Sequence, residues 1–169
     1  MKKIKSKIAP HIEPFNFVEV MAVKGKNFDY LGSAISRSAF YNIKNDLDLL
    51  QTAGQGLKIF NKLIKSGLAD NSIFDLLKSY LEILNSQKNL EILNSLFIFK
   101  LLINLGHKPE LYNCVNCVRK ILPREIIFDF SRGGLICRQC YTKKGLTINE
   151  NSVKLLRLAE KNNLYKLIK

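Results

Sequence analysis

A chain of 169 residues, 47% of them hydrophobic, is long enough to bury a real core and too apolar to be mainly disordered. Its 27 Lys and Arg against 14 Asp and Glu leave a net charge of +13, an imbalance that favours a polyanionic partner, nucleic acid first among them. The densest apolar stretch, Leu96 to Leu105, is broken by Lys100 and Asn104, and Pro10, His11, Glu13 and Pro14 interrupt any apolar region behind the basic opening, so the chain reads as neither membrane-spanning nor secreted and is expected in the cytoplasm.

Taken in chain order, Phe15 to Val23 alternates as a strand does, with Phe15, Phe17, Met21 and Val23 on one face and Glu19 interrupting it. Lys24-Gly25-Lys26-Asn27 reads as a turn, and Phe28 to Ala34 as a weaker second strand, giving a hairpin. A lone hairpin is marginal in water, so it must rest on the following helices or belong to a larger sheet.

From about Asn45 the period becomes helical. Leu50, Ala53, Leu57, Phe60 and Ile64 share a face ahead of a stop at Gly67, while Gly54 and Gly56 mark a break or a close packing contact. Asp70 is the expected N-cap of a second helix that buries Ile73, Leu76, Leu77, Tyr80 and Leu84. The segment Leu90 to Leu105 is apolar nearly all round and belongs in the middle of a bundle; Gly106 closes it and Pro109 prevents its resumption. Thr147 and Glu150 read as a capping box ahead of a final helix carrying Val153, Leu156, Leu164 and Ile168. No internal repeat or low-complexity tract is present.

The four cysteines carry the strongest signal. Cys114 and Cys117 form one CxxC pair, nineteen residues follow, and Cys137 and Cys140 form another. Each CxxC turn presents two thiolates on one side, and a hairpin between the turns brings four sulfurs around one Zn²⁺. The spacer supplies that hairpin: a strand from Glu125 to Phe130, a Ser131-Arg132-Gly133-Gly134 turn, and a return at Leu135-Ile136. Two redox pairs or two disulfides are the competing readings, disfavoured by a reducing cytosol and by the lack of a thioredoxin-like βαβ pattern. Four protein ligands leave no open coordination position, so one structural zinc per chain is expected. His107 suits a helix end better than a ligand role, and His11 has no evident partner. With no nucleophile motif, P-loop or dinucleotide fingerprint, no enzyme is expected.

The order of these features resembles the RecO family of bacterial recombination mediators. The resemblance is carried by Lys2-Lys3-Ile4-Lys5-Ser6-Lys7 leading to Ile12-Glu13-Pro14-Phe15, by Val23-Lys24-Gly25-Lys26, by Leu102 to Leu111 before Cys114 and Cys117, and by Phe130-Ser131-Arg132-Gly133-Gly134-Leu135-Ile136-Cys137 before Cys140. It implies a DNA repair protein with an N-terminal OB-fold, a helical domain and a zinc module. It also implies binding to single- and double-stranded DNA, strand annealing, and partnership with RecR and with the acidic, apolar tail of single-stranded DNA-binding protein, so that a RecA-type recombinase can load. Family members begin with further OB strands, and Met1 here falls where the middle of that barrel should be. The expected architecture is therefore mainly α: a partial OB-fold hairpin over residues 1–34, a helical domain over 35–110, a zinc module over 111–142, and a C-terminal helix over 143–169 that packs on the helical domain.

Charge by segment fits that division. Residues 1–26 carry +4, residues 27–105 only +1, residues 106–145 +5 and residues 146–169 +3. A neutral scaffold between basic flanks places the binding surfaces at the flanks, the plain alternative being a solvated Lys-rich surface. Lys2, Lys3, Lys5 and Lys7, matching the family's basic loop, come first as DNA contacts, followed by Lys24 and Lys26 in the hairpin turn. Arg119, Lys120, Arg124, Arg132 and Arg138 form another candidate patch. Phe15, Phe17 and Phe28 read as core rather than as stacking platforms, and Lys58, Lys62 and Lys65 are offered as the rim of a partner groove. The alternative reading is a zinc-stabilised helical adaptor that binds proteins and has little DNA affinity of its own.

Overall fold

The computed structural model describes residues 8–64, 70–86, 90–122, 126–142 and 145–168. Two strands, β1 (Phe17–Val23) and β2 (Tyr30–Ser38), pair antiparallel as a hairpin, with irregular register after Phe17 and after Met21. The expected single buried face does not form. Phe15 and Phe17 pack on the helices, whereas Met21 and Val23, beyond the first irregularity, stand exposed, as do Val20, Tyr30, Leu31 and Ile35. Phe28, expected in the core, is 78% exposed in the loop before β2. His11 does have a partner: its Nδ1 accepts from the Ser36 backbone N–H at 3.3 Å.

Four helices build the centre: α1 (Tyr41–Asn45), α2 (Leu47–Leu63), α3 (Asn71–Ser86) and α4 (Leu90–Asn104). The short α1 was not expected from sequence, and its cap explains why. No local side chain serves its N-terminus; instead Asn85 at the end of α3 accepts from the backbone N–H groups of Asn42 and Ile43, at 3.1 and 3.3 Å. Asp46 caps α2 and Asp70 caps α3, each carboxylate accepting two backbone N–H bonds. The Ser72 hydroxyl, which also donates to Asp70, and these amides hold the Asp70 carboxyl below the usual range. The expected stop at Gly67 lies outside the described residues; the last residue of α2 is Leu63.

The two glycines of α2 divide. Gly54 faces open space, but a Cβ on Gly56 would lie 2.6 Å from the Tyr80 hydroxyl, so α2 passes unbroken over the Tyr80 ring. That ring is fully buried, stacks on Phe97 of α4 at 4.2 Å between centroids, and donates its hydroxyl to the Thr52 carbonyl at 3.0 Å. Burial alone pushes the Tyr80 phenol well above its ordinary value. α4 packs against α2, α3 and two later helices, which is why it can be apolar all round. It ends as expected: Gly106 takes φ +87°, its N–H bonds to Ile103 and that of His107 to Leu102, the paired bonds of a Schellman stop.

The C-terminal part holds a second sheet, β3 (Ile127–Asp129) between β4 (Gly134–Ile136) and β5 (Leu146–Thr147), and two helices, α5 (Glu150–Lys161) and α6 (Leu164–Ile168). The capping box expected at Thr147 and Glu150 is replaced: Thr147 is drawn into β5, and Asn149 caps α5 by accepting from the Asn151 backbone N–H at 2.7 Å. The single final helix is likewise two.

Two separate cores result. Tyr80, Phe97, Leu84, Leu93 and Leu101 belong to the helical one; Cys114, Ile121, Ile126, Ile127, Leu135, Ile136 and Val153 form the smaller. α5 joins them, giving Val153 to the small core and Ala159 to the large. Among the described residues no helix is long and apolar enough to cross a membrane.

Candidate metal centre and nucleic-acid surface

The chain leaving α4 is turned by Glu110, whose carboxylate accepts the backbone N–H groups of Tyr112 and Asn113 at 2.7 and 2.9 Å and is held below the usual carboxylate range by them. It then runs beside β4, with bonds from Leu135 N–H to the Glu110 carbonyl and from Val115 N–H to the Leu135 carbonyl, both 2.9 Å. This contact explains the second glycine of the hairpin turn. A Cβ on Gly134 would meet the Glu110 carbonyl at 2.7 Å, whereas Gly133 supplies the positive φ, +69°. Asp129, the buried polar residue of this region, caps the turn by accepting from the Ser131 hydroxyl at 2.6 Å and from the Ser131 and Arg132 backbone N–H groups. The Ser131 hydroxyl is the main reason its carboxyl titrates below the usual range.

These bonds bring the two CxxC turns together. The sulfurs of Cys114, Cys117, Cys137 and Cys140 all lie within 4.8 Å of one another, with Cys117 and Cys137 3.8 Å apart, and all four cysteines are free. In the first turn Val118 N–H bonds to the Cys114 carbonyl at 2.9 Å, and in the second Cys140 N–H bonds to that of Cys137 at 3.0 Å. The buried Cys114 sulfur receives the Asn116 and Cys137 backbone N–H groups, each at 3.5 Å. Burial pushes that thiol up, but the amides of Cys117, Cys137 and Asn116 outweigh it and bring it down to about 6, so the thiolate a metal requires is favoured. Four convergent soft donors, with no fifth ligand group among the described residues, fit a structural metal ion. His107 is exposed and is not among the ligands, as expected.

The candidate DNA contacts are placed as follows. Lys2, Lys3, Lys5 and Lys7 lie outside the described residues, as do Arg124 and Lys65; Lys24 and Lys26 are exposed in the β1–β2 turn. Arg119, Lys120 and Arg138 converge on one hollow of the metal module, where Arg119 donates to the Gln139 side-chain oxygen at 2.9 Å. Arg132 is instead engaged with Asn116 and lies 3.7 Å from Asp129. Lys58 and Lys62 are exposed on α2.

Sequence reasoning missed a larger feature. A groove of about 540 Å³ runs between α4, α5 and the β3–β4 hairpin, lined by Phe99, Leu102, Phe128, Phe130 and Leu156, with Lys108 and Arg132 on its rim. Phe130, 71% exposed at the hairpin tip, was the available signal: an aromatic that a small β-turn cannot bury.

The model of the family described as recombination protein O C terminal matches residues 44–169. Proteins of Dehalococcoides mccartyi named DNA repair protein RecO are 34% identical over 171 residues in strain ATCC BAA-2266 and 32% over 164 residues in strain CBDB1. Those matches cover 99% and 96% of this chain and 68% and 65% of the relatives; a RecO of Desulforamulus reducens, 30% identical over 158 residues, is covered to 61%. The chain thus spans about two thirds of the length of these relatives. With the helical centre, the four-cysteine module and the final helices all inside the matched region, the chain belongs to the RecO family of DNA repair proteins.

Proposed function

We propose that this chain is a non-enzymatic mediator of recombinational repair that binds single- and double-stranded DNA, promotes annealing, and helps a RecA-type recombinase to load together with RecR. The observation that carries this reading is the charge distribution on a RecO scaffold: basic flanks of +4, +5 and +3 around a centre of +1. The hairpin β1–β2 serves as part of an OB-type surface, with Lys24 and Lys26 at its turn and Lys2, Lys3, Lys5 and Lys7 ahead of it contacting phosphates. The ion of the module is zinc. Four thiolates about 2.3 Å from Zn²⁺ stand about 3.8 Å apart, which the Cys117–Cys137 separation of 3.8 Å matches. Its place of action is the cytoplasm, at the nucleoid.

Fluorescence anisotropy of a labelled single-stranded oligonucleotide, titrated with metal-loaded protein at several salt concentrations beside a duplex control, tests the reading. Affinity falling with salt at about −0.7 per phosphate contact, over several contacts, is the expected result. Negligible binding at low salt would overturn it in favour of a zinc-stabilised adaptor. The groove beside Phe128 and Phe130 favours a protein-binding role in either case. An acidic, apolar tail such as that of single-stranded DNA-binding protein has there an apolar floor and the cations Lys108 and Arg132 at the rim.

A further inference from the structure

The metal module carries a second basic surface that neither the hairpin nor the groove accounts for. Arg119 and Lys120 leave the first CxxC turn, Arg138 sits inside the second, and the three line a hollow of about 150 Å³ whose walls include no acidic residue. The carboxylates of Glu110 and Asp129 are used elsewhere in the module, the first in its own turn and the second as the cap of the β3–β4 turn. Arg119 is held in place by Gln139, so part of the cost of ordering a long cation is met before any ligand arrives.

Leu122, which lines the hollow, stands 68% exposed, and Val118, next to Arg119 in the chain, 75% exposed. Val118 is informative because it takes φ +61°, a conformation in which a β-branched residue is strained and glycine is not. The knuckle thus carries a strained side chain that buries little, and such strain concentrates where an exposed group is used.

We propose that this face of the metal module is a separate DNA contact, taking backbone phosphate between Arg119, Lys120 and Arg138 and laying sugar or base against Val118 and Leu122. The proposal rests on the DNA-binding reading above and adds to it a site that the OB-type surface does not contain. Guanidinium forks and an ammonium lining one hollow suit a phosphodiester, and the apolar flank suits a strand whose bases are unpaired.

A zinc tetrathiolate is itself a dianion, so cations near it also serve to balance it, and the experiment must separate the two roles. The full metal-loaded chain is compared with the double variant Lys120→Ala, Arg138→Ala and with a charge-matched control, Lys58→Ala, Lys62→Ala, exposed on α2 in the nearly neutral centre and outside the basic flanks. Metal content is measured alongside anisotropy of a single-stranded oligonucleotide. The expected result is one metal per chain in all three proteins, a salt slope reduced by about 1.4 and about 25-fold weaker binding at 0.1 M salt in the first variant alone. The single variant Lys120→Ala, three residues beyond the last cysteine of the first turn, should lose about 5-fold. Equal affinities for the first variant and the control would overturn this site while leaving the DNA-binding reading intact. No binding by the unaltered chain would overturn both.

Discussion

The helical bundle and the metal module solve the same problem with unequal means. In the bundle, helices of 15 to 17 residues lay whole apolar stripes against one another and bury Tyr80, Phe97, Leu84, Leu93 and Leu101 nearly completely. The module has strands of three, three and two residues and a core of only seven buried side chains among the described residues, Leu135 and Ile136 included. So little area cannot offset the conformational entropy of ordering the two CxxC turns, a difference that the proposed four-thiolate ion supplies. On that reading one region is stabilised by area, the other by coordination. Removing either support should therefore leave the other region folded.

The largest effect is expected at the metal. Cys117→Ser takes away one of four donors, and structural Zn²⁺ in small modules contributes roughly 10–16 kcal/mol of apparent binding energy. Metal content should fall from one per chain to none, and proteolysis should cut within residues 110–142, while the far-ultraviolet circular dichroism of the helices persists. A variant that kept its metal would show that the four sulfurs do not act together. The converse is Phe97→Ala, which empties the stack against Tyr80 and should cost about 3–5 kcal/mol, read as a fall in the bundle's melting temperature with metal stoichiometry unchanged.

The two regions also differed in how far sequence alone revealed them. The module was legible because metal chemistry fixes residue type and spacing: Cys114, Cys117, Cys137 and Cys140 meet as their pattern requires. The bundle helices were legible from period and from local caps such as Asp70, which acts within three residues of itself. What was illegible depends on distant partners. α1 is capped by Asn85, 43 positions away from Asn42, and Thr147 leaves its capping role because β3 recruits it as a strand. Phe28 and Met21 read as core because alternation reports a face without reporting whether anything covers it. The groove at Phe128 and Phe130 needs three elements far apart in sequence, so no local pattern marks it.

Between the two regions, Arg157 of α5 is the tie. Its guanidinium donates twice to the Leu111 carbonyl, at 2.8 and 2.6 Å, and lies 4.8 Å over the Tyr112 ring. Nearby, Lys108 and Glu160 pair at 2.7 Å, and Lys100 donates to the Ala159 and Glu160 carbonyls, where burial lowers its pKa against the pull of Glu160. Arg157→Ala removes charge-assisted bonds and a cation–π contact together, for about 2 kcal/mol. Neither core loses an apolar side chain. The expected signature is thus lost cooperativity: calorimetry should resolve two transitions in the variant against the one expected of the unaltered chain. A single transition shifted downward would mean that the cores are coupled through Val153 and Ala159 instead.

The smallest effect sharpens the contrast, because it runs in the stabilising direction. Val118 follows the second cysteine of the first turn at φ +61°, and its N–H closes that turn on the Cys114 carbonyl. Left-handed backbone costs a β-branched residue about 1–2 kcal/mol, while glycine adopts it freely but loses about 0.5–1 kcal/mol more entropy on folding. The balance favours Val118→Gly by about 0.5–1 kcal/mol, so chelator concentrations that strip the unaltered module should leave more metal on the variant. If the exposed valine also serves the DNA face, the same change should weaken oligonucleotide binding while strengthening metal retention. Two readouts moving in opposite directions would separate strain kept for contact from strain kept for nothing, whereas a variant that lost metal more readily would show that the valine side chain supports the knuckle.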